Sequence, residues 1–412
     1  MTSIALMAVA FGLAFVTLRA DEIGRLRLGA VDVAFALFIF VKVCVELANA
    51  SDLNHSFYSA TLLIPVASYV AFLLARQSSP SLRHAVQLLR WISIPAAGVA
   101  LLAALQVARA PLAAQFISNF VSAEGYERRL ELGWAIRGTS TIGHHTALGG
   151  YFVCMTTIVC LDLLISNKLQ KRLPVTPLVL LPVVLVGQLT SLTFATIALS
   201  AIITLVTLVL LGLRPGIVVT LGVVTFAAWR LFGAELESRL DSQTIGAANQ
   251  QYSWLPETIS YRMGIWTRET IPAIAERPLT GWGIDVYAGV SKGWPVFPTQ
   301  LSWGSPESEY LRTLISGGLL ALCAQLALFI TAAAVIVALW RGLSGAIATP
   351  VAVMFGGLLL ISLLHSHFNN PGVPYPFWLI VGACAGLAAA TNQEKLRTEL
   401  KNGLLSPPSG QK

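Results

Sequence analysis

Arginine and histidine are the residue types in this 412-residue chain best placed to do chemistry. Two stretches between apolar runs hold most of them. Arg128, Arg129 and Arg137 lie in one, and Arg239, Arg262, Arg268 and Arg277 in the other. A guanidinium stays charged and pairs bidentately with phosphate oxygens, so several together can hold a diphosphate. Glu127, Glu131, Glu269 and Glu276 stand near them, and ordinary ion pairing is the competing reading for any one arginine. His144 and His145 are adjacent, and His365 and His367 are two apart. A metal site can be drawn from them, but no cysteine or dense carboxylate cluster accompanies them, so no metal is expected. Hydrogen-bonded histidines at a membrane edge are the alternative. Lys42 and Glu46 are four residues apart inside an apolar run, hence on one helical face. Charges there are expensive; a mutual ion pair satisfies both, and a transporter's coupling site is the other reading.

These residues must be positioned by a chain that is otherwise apolar. It is 55% hydrophobic and 11% charged, with net charge +7, where a soluble domain has about 25% charged residues. The mean hydropathy is +0.72. A bilayer crossing takes about 20 apolar residues. About eleven candidate spans follow, at 2–18, 30–48, 57–75, 88–107, 146–165, 174–188, 191–213, 216–233, 310–339, 346–365 and 376–391. The run from Pro174 to Leu213 is too long for one crossing, and Gln188, Thr190 and Ser191 mark its break. The first run lacks the basic start of a signal peptide, so it reads as a span.

The expected fold is therefore all-α: a polytopic bundle forming one transmembrane domain over 1–391, with a cytoplasmic tail at 392–412. Basic connections (Arg19, Arg25 and Arg27; Arg76, Arg83 and Arg90; Lys168, Lys171 and Arg172; Arg214; Arg341) alternate with connections that hold no Lys or Arg, at 49–56, 189–190 and 366–375. Positive charge marks the cytoplasmic side, which puts the N-terminus outside and the C-terminus inside. The long connections at 109–145 and 234–309 then face out, together with His55, His144, His145, His365 and His367, while His84 faces in. The second contains Trp254, Trp266, Trp282, Trp294 and Trp303, too aromatic for a disordered linker, and should pack as a cap with a helix near 260–275. The basic charge faces anionic lipid heads and calls for no nucleic acid. Cys44, Cys154, Cys160, Cys323 and Cys384 all fall inside spans and read as buried small hydrophobes, not disulfides. There is no P-loop, so no nucleotide is expected, and no internal repeat of the kind many transporters show.

Three segments carry a resemblance. Arg137-Gly138-Thr139-Ser140-Thr141-Ile142-Gly143-His144-His145, running into Ala147-Leu148-Gly149-Gly150-Tyr151, resembles a recurring segment of the O-antigen ligase and polymerase superfamily. Arg262, Trp266 and Pro278-Leu279-Thr280-Gly281-Trp282-Gly283 are similar to a second, and Glu307-Ser308-Glu309-Tyr310-Leu311 with Gly317 and Gly318 to a third. The matches span residues 137–318 in family order. Two departures stand out. Ligases carry His where this chain has Glu307, which leans towards a polysaccharide polymerase, and Leu192 stands where members carry an arginine.

The resemblance implies a metal- and nucleotide-independent glycosyltransferase of the bacterial inner membrane. An acceptor sugar hydroxyl attacks the anomeric carbon of a glycan carried on polyprenyl diphosphate, and the diphosphate leaves. Such a site needs a base and fixed positive charge. Glu307 is the first choice for base and Glu309 the second. Arg137 and Arg262 are the diphosphate candidates, Arg312 can join them or snorkel, and His144 and His145 can orient them or the acceptor. The implied partners are the polyprenyl-diphosphate-linked oligosaccharide, a glycan acceptor, membrane lipids and other envelope polysaccharide assembly proteins, with no cofactor. A ligase, a secondary transporter or flippase centred on Lys42 and Glu46, and a non-catalytic scaffold are the alternatives.

Overall fold

The computed structural model describes residues 29–53, 59–121, 136–170, 174–213, 215–241, 254–283, 286–287, 298, 301–302, 304–342, 345–370 and 372–405. Every regular element among these described residues is a helix. In chain order they are α1 (Ala30–Leu53), α2 (Ser59–Gln77), α3 (Leu82–Val107), α4 (Pro111–Phe120), α5 (His145–Gln170), α6 (Val175–Thr190) and α7 (Phe194–Leu210). There follow α8 (Pro215–Asp241), α9 (Glu257–Ile265), α10 (Ile271–Glu276), α11 (Glu309–Gly342), α12 (Gly345–Ile361) and α13 (Pro374–Leu405). A 3-10 turn at Ser140–Ile142 precedes α5, and a π turn at Trp266–Thr270 joins α9 to α10.

A helix stands at each expected apolar run from the second to the eleventh; the first, at 2–18, and the arginines Arg19, Arg25, Arg27, Arg128 and Arg129 lie outside the described residues. Among the described residues, α3, α5, α11 and the Pro374–Thr391 part of α13 are long and apolar enough to cross a membrane. Leu62–Gln77 of α2 and all of α6, α7 and α12 are apolar but shorter. Two boundaries differ from the sequence reading. Helix α12 stops at Ile361, so His365 falls in an irregular segment and not in a span; polar residues follow at once, and Pro374 opens the next helix. Helix α13 continues past the apolar stretch to Leu405, since Gln393, Glu394, Lys395 and Arg397 are good helix formers.

Helix α5 is the centre of the bundle. Its apolar window is 94% buried, against 28% for α3 and 39% for α11, and it packs on α3, α6, α7, α12 and α13. The outward faces are apolar too: Leu101 is 61% exposed, Ile330 69% and Leu360 67%. Helices apolar on all sides, with large aliphatic side chains outermost, suit hydrocarbon and not water. In such a setting helices are held by close packing. Helices α2 and α13 meet through Gly382 and Gly386, one turn apart, where a β-carbon would lie 2.2 Å from the Phe72 carbonyl oxygen and 2.4 Å from that of Arg76.

Buried charge is neutralised at one end of the bundle. Asp162 on α5 accepts from Arg90 Nε at 3.0 Å and Nη2 at 2.9 Å, and from Ser166 Oγ at 2.8 Å. Asp32 on α1 accepts from Arg76 at 2.7 Å, from Tyr69 at 3.1 Å and from the Gly29 amide at 2.6 Å. Arg76 and Arg90, read from sequence as residues of a basic connection, thus belong to helices and neutralise aspartates.

At the other end α11 reverses sharply. Gly318 has φ +63 and ψ −165, a conformation restricted to glycine. Residues 309–317 therefore fold back beside the start of the long limb, and Thr313 Oγ1 donates to Gln325 Oε1 at 2.8 Å. The 278–283 turn docks on this reversal: Trp282 N donates to Ile315 O at 2.9 Å, Gly283 N to Ser316 O at 2.9 Å and Leu319 N to Pro278 O at 2.8 Å. A β-carbon on Gly318 would sit 2.2 Å from the Leu279 carbonyl carbon. Gly318→Ala is expected to destabilise the fold by about 1–3 kcal/mol from conformation alone, and more from the clash. Thermal unfolding of the purified protein checks this; an unchanged midpoint would rule out the interlocked turn.

Candidate functional site

Four interruptions of the helical bundle meet at the end where α11 reverses. They are the 136–144 segment before α5, the 191–193 break between α6 and α7, the 304–308 segment before α11, and the 362–370 segment after α12. Each fixes another through its backbone. Gly138 N donates to Thr190 O at 2.8 Å, and Glu309 N to Ser362 O at 2.9 Å. Gln106 on α3 holds the first segment from below, its Oε1 accepting from the amides of Thr139 at 2.8 Å and Ser140 at 3.0 Å. Gln188 ties α6 to α7 by donating to Thr196 Oγ1 at 2.9 Å and accepting from Ser200 Oγ at 3.1 Å. Trp266 Nε1 donates to the Pro306 carbonyl at 2.6 Å and anchors the third segment to the π turn after α9.

These segments enclose a cleft of about 420 Å³. Arg137, Arg239 and Arg262 line it, facing Glu307, the one carboxylate among its described lining residues, with His144, His145 and His365 beside them. The first residues of α5, of α7 and of α9 also line it: His145 and Thr146, Phe194 and Ala195, Thr258 and Ile259. Three helix N-termini therefore add partial positive charge to that of the guanidiniums. Guanidiniums and helix N-termini in this arrangement can bind an anion with several oxygens.

Arg262, 9% exposed, is fixed from three sides. It donates to the Leu364 carbonyl at 3.0 Å and to the Thr258 carbonyl at 2.5 Å, and Nη2 lies 3.6 Å from Glu307 Oε2. Burial lowers its pKa and the Glu307 carboxylate opposes that shift. Arg137 donates to His145 Nε2 and, at 3.1 Å, to the Leu192 carbonyl. Arginine only donates, so in this contact His145 Nε2 is the acceptor. Leu192, where the resemblance leads one to expect an arginine, contributes that carbonyl from a backbone with φ +48. Glu307 itself has φ +54. A non-glycine residue held there costs of order 1–3 kcal/mol, a strain that collects at functional sites.

The structure brings Arg137, His145, Arg262 and Glu307 together and places Glu309 and Arg312 elsewhere. Glu309, 2% exposed, accepts from the Phe368 amide at 3.0 Å, Asn369 Nδ2 at 2.9 Å and Gln325 Nε2 at 3.3 Å. Those bonds commit its carboxylate to the fold, on the far side of the segment from Glu307. Arg312, one turn further along α11, lies within electrostatic reach of Glu309 and Lys42 and outside the cleft. The Lys42 ammonium lies 4.9 Å over the Phe38 ring, lines a second cavity together with Glu309, and stays within electrostatic reach of Glu46 as well as Glu309. Arg239 and His365, counted in the sequence among the outer arginines and histidines but part of no motif, reach the cleft from the end of α8 and from the segment after α12.

Two histidines, His365 and His367, are kept neutral. Burial, then Arg262, lowers the His365 pKa from 6.5 to about 2, and burial lowers that of His367 to about 4. His367 is 1% exposed and lies 5.7 Å from His365, ring to ring. Among the described residues no three metal-ligating side chains converge. No protein-family model matches this chain, and no curated protein matches it.

Stability should therefore fall in mild acid. Below pH 6.5 the unfolded chain takes up protons on these two imidazoles and the folded one does not, so unfolding gains up to about 1.4 kcal/mol per pH unit per group. For His367 the loss runs from pH 6.5 to about 4. The thermal midpoint is expected to drop between pH 7 and pH 5, and less so in His367→Gln. Equal drops in both proteins would refute the assignment.

Proposed function

We propose that this chain is a polytopic glycosyltransferase of the bacterial cytoplasmic membrane. It joins glycan units from a polyprenyl-diphosphate-linked donor to an acceptor glycan at the outer face, as members of the O-antigen ligase and polymerase superfamily do. The observation that carries the reading is the cleft in which three guanidiniums and three helix N-termini meet one strained carboxylate. A diphosphate supplies the anion such a cleft fits, and Glu307 supplies the base.

In this reading the eleven-span topology holds, with the N-terminus outside and the C-terminus inside, and the cleft opens outward. The acceptor hydroxyl gives its proton to Glu307 as its oxygen bonds to the anomeric carbon. The bond from that carbon to the diphosphate oxygen breaks, and the electron pair leaves with the diphosphate. Arg262 and Arg137 bind the leaving charge. His145 holds Arg137 in place, and neutral His365 sets the approach of Arg262 to Glu307. No step calls for a metal or a nucleotide. Glu307 in place of histidine favours polymerase over ligase.

Purified protein given polyprenyl-diphosphate-linked repeat units from its host, without nucleotide or metal, is expected to yield a glycan ladder. Glu307→Gln should lower the rate by about 10²–10⁴-fold, the usual worth of a general base. Glu307→Asn serves as a folding control, because asparagine tolerates a left-handed backbone better than glutamate; it should be as stable as wild type and equally inactive. Transfer of one unit to a different acceptor would move the assignment to ligase. A ladder from Glu307→Gln equal to wild type would remove Glu307 from the reaction.

A further inference from the structure

Glu309 is buried and lies outside the cleft. The cavity beside it, which Lys42 also lines, has about 40 Å³ of open space. That is room for a few waters and not for a ligand, so the partners of this carboxylate are protein groups. Arg312 and Lys42 lie within electrostatic reach and offset its charge, as a buried carboxylate requires.

The bonds of Glu309 share one pattern: they tie down both ends of the 362–368 segment. Its amide donates to the Ser362 carbonyl at 2.9 Å, and its Oε2 accepts from the Phe368 amide at 3.0 Å. Oε1 accepts from Asn369 Nδ2 at 2.9 Å and from Gln325 Nε2 at 3.3 Å. Gln325 stands on the long limb of α11 and also accepts from Thr313 Oγ1 at 2.8 Å, so the clamp is anchored in the bundle. Between the tied ends lie groups that shape the cleft. The Leu364 carbonyl accepts from Arg262 Nε at 3.0 Å. His365 Nδ1 lies 3.5 Å from Arg262 Nη2 and 3.9 Å from Glu307 Oε2. Glu307 is itself two residues from Glu309, at most about 7 Å along the chain. One side chain thus fixes the frame in which Arg262 stands 3.6 Å from Glu307.

We infer that Glu309 is a positioning residue: by holding both ends of the 362–368 segment, it sets Arg262 against Glu307. Its part in glycan transfer rests on the polymerase reading above. The clamp needs a carboxylate, because both oxygens face N–H donors. Glutamine keeps the volume but turns an N–H group towards the Phe368 amide or towards the Asn369 and Gln325 side chains. Two donors then meet and neither is satisfied. A displacement of about 1 Å in a reacting group costs on the order of 100-fold in rate.

Full-length wild type, Glu309→Gln and the double variant Glu309→Gln/Asn369→Asp are compared in lipid nanodiscs. Hydrogen exchange is followed by mass spectrometry over 362–368, and ladder kinetics are measured per folded molecule. Glu309→Gln should exchange about tenfold faster in that segment, the equivalent of one lost hydrogen bond. Its kcat and kcat/KM should fall together, on the order of 100-fold. The double variant exchanges the carboxylate and the amide between the two positions and should regain most of the protection and most of the rate. Unchanged exchange in Glu309→Gln overturns the clamp. Faster exchange at wild-type kcat reduces Glu309 to a structural part and overturns its positioning role, as does a double variant that regains neither protection nor rate. Protection lost in Glu309→Gln and regained in the double variant, with no ladder from wild type, sinks the polymerase and spares the clamp.

Discussion

A backbone amide or carbonyl left without a partner in an apolar interior costs several kcal/mol, which is why chains crossing such an interior are helical almost throughout. This bundle breaks that rule four times at one end, and the rest of the arrangement follows from how the breaks are satisfied. Each irregular segment borrows partners from another. Gly138 reaches Thr190, Glu309 reaches Ser362, and Gln106 and Gln188 supply side-chain amides to the segments beside them. Non-helical backbone at such a place persists only where protein buries it or where it lines a cavity. Here it lines one.

The two ends of the bundle use charge in opposite ways. Arg76 and Arg90 each meet an aspartate at hydrogen-bond distance, and the pairs are local and closed. Around the cleft, three guanidiniums and three helix N-termini surround one carboxylate, and Arg262 approaches that carboxylate only to 3.6 Å. Among the described lining residues the charged side chains are those three arginines and Glu307. Buried His365 and His367 add none, because desolvation keeps them neutral. The positive-φ backbone at Glu307 and Leu192 falls on the same rim, so local strain and clustered charge coincide.

Much of the secondary structure was legible in the sequence. Apolar runs of span length read as helices because nothing else buries their backbone, and the break at Thr190 was marked by Gln188 and Ser191, polar residues inside an otherwise apolar stretch. What failed was local competition at the edges. His365 looked like the last turn of a span, yet the polar residues after Ile361 take partners from α11 and end the helix early. Helical spacing set Lys42 beside Glu46; a third charge, Glu309, comes within its reach from over 260 residues away.

Composition and hydropathy alone determined that the chain is helical, apolar and membrane-suited, because the bilayer constraint acts on each segment separately. The resemblance of three segments, and not composition, pointed to Arg137, Arg262 and Glu307 as residues worth weighing. Only the tertiary structure decided which of them share a cleft. Two carboxylates two residues apart, Glu307 and Glu309, turn to opposite sides of one segment, and Arg239 joins from the end of α8. Periodicity describes a residue's position on its own helix. Where helices stop, direction is set by hydrogen bonds to distant segments, and those partners are fixed only when the bundle is assembled.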